Sequence, residues 1–132
     1  MAGSSAELHE DPRLLRPGTV ERHRAIVSVM EELEAIDWYD QRVDASGDPD
    51  LAAVLAHNRD EEKEHAMMTL EWLRRHDPAL DQHMRTYLFT SGPITAIEAA
   101  AVGEAGAPSG SLAGEASPQG SLGIGSLRGS GL

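Results

Sequence analysis

The sequence contains no cysteine, so neither a disulfide nor a thiolate-ligated zinc or iron–sulfur site is available to it. Aromatic residues are few: two Trp, two Tyr and one Phe in 132 residues. Basic residues are also scarce, 11 Lys and Arg against 22 Asp and Glu, which leaves a net charge of −11. That balance argues against nucleic acid or an anionic membrane surface as a partner and favours the attraction of cations. No apolar run approaches the roughly 18 residues of a membrane-spanning helix. The Met1 end has no apolar stretch behind a basic start. The expectation is a single domain of cytoplasmic type.

The residues that are present are unevenly spread. Ten of the 13 glycines lie between Ser91 and Leu132, whereas all the aromatic residues (Trp38, Tyr39, Trp72, Tyr87 and Phe89) precede that stretch. A Gly/Ser/Ala segment without aromatics buries too little apolar surface to offset the entropy of ordering it. The chain therefore divides into a flexible lead over 1–17, a helical domain over 18–95, a flexible linker over 96–119 and a terminal segment over 120–132. A folded region below about 80 residues is marginal on its own core. Without disulfides it points to oligomerisation, to a metal, or to both.

Helix punctuation organises that region. A first helix is expected from near Thr19, behind Pro17-Gly18, to about Ala45. Ser46-Gly47-Asp48-Pro49 forms the turn, with Asp48 as cap and Pro49 in the first helical position of a second helix running to about Arg75. Asp77-Pro78 repeats the signal for a short third helix ending near Phe89 or Thr90, before Gly92-Pro93. No useful length alternates with period two. The fold class is all-α: an antiparallel two-helix hairpin plus a short C-terminal helix.

The faces of these helices carry the chemistry. Val29, Glu32, Ile36, Tyr39 and Val43 recur at three- and four-residue steps on the first helix. Leu51, Leu55, Asn58, Glu62, His65, Thr69 and Trp72 do so on the second. Both seams are apolar at the ends and polar in the middle, and a buried unpaired carboxylate is costly. A Glu-x-x-His pair alone is common on solvated faces. Here, however, an antiparallel hairpin turning near residue 47 also sets Glu32 level with Glu62 and His65, to within about one turn at ~1.5 Å per residue. A ferritin-like di-iron site takes one Glu from each of two helices and a Glu-x-x-His from each of two others. This chain supplies half of that set, and a two-fold dimer would complete a four-helix bundle with four carboxylates and two imidazoles. Mixed carboxylate–imidazole ligation suits Fe²⁺ or Mn²⁺. Tyr39, two turns from Glu32, reads either as a hydrogen-bonding or electron-donating neighbour of the centre or as a core aromatic.

Three runs, HRAIVSVMEELEAIDWYDQRVD from His23, HNRDEEKEHAMMTLEWLRR from His57 and RTYLFTSGPIT from Arg85, resemble the encapsulated ferritins, cargo ferroxidases of encapsulin nanocompartments. The resemblance implies a two-helix protomer, a di-iron ferroxidase centre at a two-fold interface, and a ring of five dimers that stores iron as mineral inside the shell. Glu32, Glu62 and His65 match the family's iron ligands, with Trp38 and Tyr39 beside them. Glu31 and Glu34 match a second metal position through which iron approaches. His57, Glu61 and Glu64 match an outer position, and these secondary sites admit Ca²⁺ or other divalent ions. From spacing alone both acidic groups read more readily as solvated faces than as metal sites.

The terminal segment holds Leu122, Ile124 and Leu127 in a polar string with Ser121, Gly125, Ser126 and Arg128. Such a string docks in apolar pockets in extended form, and its ordering cost falls only on binding. It resembles the peptide that loads cargo onto the inner wall of encapsulin shells. Two other readings use the same residues: a non-catalytic helical oligomer stapled by metal, and a rubrerythrin-like di-iron peroxidase.

Overall fold

The computed structural model describes residues 7–106, all of whose regular elements are helical. They are a 3₁₀ turn at Pro12–Leu14, α1 at Pro17–Ala45, α2 at Pro49–His76, α3 at Pro78–Tyr87 and α4 at Ile94–Gly106. The chain falls into two units, divided after Gly92.

In the first unit, the caps follow the punctuation. Asp48 accepts hydrogen bonds from the Asp50 and Leu51 amides at 2.9 and 3.4 Å, and Pro49 opens α2. Asp77 ends α2 and caps α3, accepting from the Leu80 amide at 3.0 Å. Two boundaries differ from expectation. α1 begins at Pro17, whose fixed φ suits the first helical position, so Thr19 is already inside the helix and its hydroxyl receives a 3.4 Å bond from Arg22. α3 stops at Tyr87, before Phe89 turns the backbone into the left-handed region at φ 58°. Within the lead expected to be flexible, Asp11 caps the 3₁₀ turn through the Arg13 amide at 2.9 Å.

α1 and α2 have 29 and 28 residues and pack along their length as an antiparallel hairpin. Among the described residues, the buried ones are Val27 on α1 and Ala66 and Leu73 on α2. This corrects the expected seams by one helical position, since Val27 belongs to the Glu31/Glu34 stripe and Ala66 and Leu73 follow His65 and Trp72. Each helix has one line of deepest contact with its neighbour and an adjoining, more exposed line. Glu32, Glu62 and His65 lie on that adjoining line, at the flank where the two helices still meet. An Arg59–Asp40 ion pair at 2.9 Å ties the helices near the turn. At the other end Arg74 pairs with both Glu71 and Asp81, and Arg85 with Asp81, fastening α3 to α2. These guanidinium partners hold the Glu71 carboxyl at about 2 and Asp81 below its usual range.

The second unit carries a correction. A flexible linker was expected from residue 96, but Ile94–Gly106 is helical. The Pro93 carbonyl accepts from the Ala96 and Ile97 amides at 3.0 and 3.2 Å. The glycine content that argued for flexibility begins only at Gly103, whereas residues 94–102 hold four alanines and no glycine. Alanine is the best helix former, so local propensity wins there. The segment 107–132, with the expected loading peptide, lies outside the described residues.

Candidate metal centre

Glu32 is carried by the middle of α1, and Glu62 and His65 by one turn of α2. Their ligand atoms all lie within 4.8 Å of one another, the only such trio of His, Asp or Glu among the described residues. His65 Nδ1 is 3.4 Å from Glu62 Oε2 and 3.8 Å from Glu32 Oε2. The two carboxyls share a proton. Their mutual hydrogen bond, followed by desolvation and the charge of Glu62, raises Glu32 to about 7, while Glu62 is lowered chiefly as the acceptor of the same bond. The side chains of Glu32 and Glu62 are 23% and 27% exposed and that of His65 51%. The trio therefore opens outward from the hairpin rather than into its core.

The donor chemistry fits a divalent cation. Two carboxylates pressed together need a proton or a cation between them, and an imidazole nitrogen completes a mixed O/N set suited to Fe²⁺ or Mn²⁺. Three ligands on one open side leave coordination positions for donors from elsewhere.

The other expected residues lie around this trio. Glu31 is exposed and Glu34 half-buried on the adjoining stripe of α1, and neither joins the cluster. The charge of Glu31 is the smallest of the influences acting on Glu32. His57 Nε2 contacts Glu61 Oε1 at 3.0 Å, and the exposed Glu64 makes no trio with them at the mutual reach seen in the centre. Tyr39 and Trp38 are held by Arg42, whose Cζ lies 5.5 Å from the Tyr39 ring centroid and 5.8 Å from that of Trp38. Sequence reasoning passed over Arg42, although its spacing of three and four residues from the two rings was a usable signal. It also passed over the cross-helix pair Arg59–Asp40, which nothing in spacing along one helix reveals.

The EncFtn-like family model matches residues 7–91. An encapsulated ferritin-like protein of Rhodospirillum rubrum is 66% identical over 130 residues, covering 98% of this chain and 93% of that protein. The encapsulin nanocompartment cargo protein EncC of Myxococcus xanthus is 35% identical over 107 residues, covering 77% and 80%. The crystal structure of a Nitrosomonas europaea protein, ne0167, is 57% identical with a TM-score of 0.64, covering 66% of this chain and 96% of that one. Helical hairpin, inter-helix carboxylate–histidine trio and these likenesses agree, and the chain belongs to the EncFtn-like, or encapsulated ferritin, family.

Proposed function

We propose that the protein is a ferroxidase that oxidises Fe²⁺ with O₂ at a di-iron centre formed where two copies meet. The observation that carries this reading is the convergence of Glu32, Glu62 and His65 within 4.8 Å on a side of the hairpin left open. That is one Glu and one Glu-x-x-His, half of the ferritin-like donor set. A two-fold axis beside it doubles the donors and covers the exposed His65. Iron held there supplies electrons to O₂.

The chain's own groups prepare the site. Glu32 and Glu62 give up their shared proton to bind cation, and Glu62, lowered below its usual range, is the carboxylate already charged at neutral pH. Glu31 and Glu34 add negative charge on the approach. His57, Glu61 and Glu64 provide an outer cation position for Ca²⁺ or another divalent ion. Tyr39, with Trp38 beside it under Arg42, is placed two turns from Glu32 as a hydrogen-bonding or electron-donating neighbour. Dimers joined in a ring of five would present several such centres. The segment Ser121–Arg128 would tether the ring to the inner wall of an encapsulin shell in the cytoplasm, where ferric iron accumulates as mineral. The names borne by the Rhodospirillum and Myxococcus relatives support that location.

The test is O₂ consumption by purified protein given Fe²⁺. Saturable uptake is expected, with most of it lost in each of Glu32→Ala, Glu62→Ala and His65→Ala. Wild-type protein that binds Fe²⁺ without consuming O₂ would leave the metal as a structural staple.

A further inference from the structure

Several helical arginines meet a carboxylate one turn away: Arg24 pairs with Glu21, Arg74 and Arg75 with Glu71, and Arg85 with Asp81. Arg42 has none to meet. The positions three and four residues from it are Trp38, Tyr39, Ala45 and Ser46. Asp37 and Asp40 are engaged elsewhere, accepting from the Gln41 side-chain amide at 3.2 Å and from Arg59 at 2.9 Å. The Arg42 guanidinium lies instead against both rings, its Cζ 5.5 Å from the Tyr39 centroid and 5.8 Å from that of Trp38. Both distances are within the roughly 6 Å reach of cation–π attraction.

These rings stand close to the trio. Seven residues separate Tyr39 from Glu32, about 10.5 Å along the helix axis. Burial does not shield them, since Trp38 is 46% exposed and borders an open groove of about 330 Å³ shared with Gln41 and Arg42. We infer that Arg42 is a positioning residue that keeps Trp38 and Tyr39 reduced while oxygen is consumed beside them. The step it opposes is a one-electron oxidation by partly reduced oxygen, which gains the electron. The Tyr39 ring would lose its phenolic proton to water along with the electron, leaving a neutral radical. The Trp38 indole would be left a radical cation. A cation held against a ring attracts its π electrons, so removing one forfeits that attraction. For the indole it also sets two positive charges side by side. Of the two roles open to Tyr39, this favours the hydrogen-bonding one. The source of the oxidant rests on the proposed ferroxidase reading, whereas the bias on the rings holds without iron.

The experiment therefore begins without iron. Full-length protein in excess chelator is exposed to azide radicals, an uncharged one-electron oxidant, and oxidation is mapped by peptide mass. Trp72 and Tyr87 serve as references within the same chain. Arg42 is exposed, so its variants should keep wild-type helicity. Arg42→Leu leaves an apolar cover beside the rings without charge, and Arg42→Lys keeps the charge. Relative to the references, Arg42→Leu should raise oxidation of Trp38 and Tyr39 about two- to fivefold, the ratio set by an exposed cation–π contact. Arg42→Lys should stay near wild type, which mere coverage of the rings would not produce. Repeated additions of Fe²⁺ in air should then give Arg42→Leu the same adducts and a tyrosyl radical signal that Tyr39→Phe removes. Equal oxidation in Arg42→Leu and wild type, Arg42→Lys as damaged as Arg42→Leu, or oxygen uptake that leaves Arg42→Leu undamaged would each overturn the proposal. Protection in the iron-free arm with no oxygen uptake in the other would support the bias on the rings and overturn the ferroxidase reading instead.

Discussion

Cation binding between Glu32 and Glu62 should release nearly one proton per half-site at pH 6 and almost none at pH 8. The magnitude follows from the shared proton. With Glu32 raised to about 7 from an ordinary 4.5, the pair is about nine-tenths protonated at pH 6 and about one-tenth at pH 8. A cation needs both carboxylates charged, so below pH 7 its apparent affinity should fall about tenfold per pH unit. Mn²⁺ is the probe, since it takes the same donors. Calorimetric titrations at pH 6, 7 and 8, each in two buffers of different ionisation enthalpy, give the proton count. Infrared difference spectra should show a protonated-carboxyl band that disappears on adding Mn²⁺ and is absent in Glu32→Gln. The metal-free protein should respond in the opposite sense. The folded pair holds a proton that the unfolded chain loses near pH 4.5, so its contribution to stability is full below that pH and is lost as pH rises through 7. Glu71, held at about 2, contributes stability above its ordinary range that is lost as pH falls toward 2. Affinity for Mn²⁺ that stays flat from pH 6 to 8, with no carboxyl band, would refute the shared proton.

Leu73→Ala should cost about 2–5 kcal/mol, because Leu73 is one of three buried apolar residues among those described and the hairpin has little else to close the cavity; thermal unfolding followed by helicity measures it. Changing Glu31 and Glu34 together to Ala should shift the Fe²⁺ concentration needed for half-maximal oxidation and leave the saturated rate largely intact. Complete loss of turnover at saturating iron would place them among the ligands. Deleting 120–132 should leave helicity, oligomer mass and ferroxidase rate unchanged and prevent co-purification with a co-expressed encapsulin shell. A tail-deleted protein that is still packaged would end the addressing proposal.

The parts of the fold that rest on local chemistry were legible in the sequence. Asp48-Pro49 and Asp77-Pro78 mark their helix starts because a capping carboxylate and a fixed φ act within three residues. The trio was legible because antiparallel register converts distance from the turn into height along the hairpin, which brings Glu32 level with Glu62 and His65. The line of deepest burial was not. Glu32 and its neighbours mark an apolar–polar stripe, but each helix carries a second stripe at the same spacing, and periodicity does not say which one its own hairpin uses. Val27, Ala66 and Leu73 answer that only in three dimensions. α4 was hidden by averaging composition across a tail whose first residues are alanine-rich and whose glycines come later.

The central claim is that the catalytic centre exists only between copies. The most direct measurement is the ferroxidase rate per chain at saturating Fe²⁺ across a dilution series, with native mass recorded under the same conditions. The account predicts that the rate per chain falls in step with the fraction of chains joined across the metal face and vanishes for monomer. A rate per chain that stays constant while the mass falls to a single copy would contradict it.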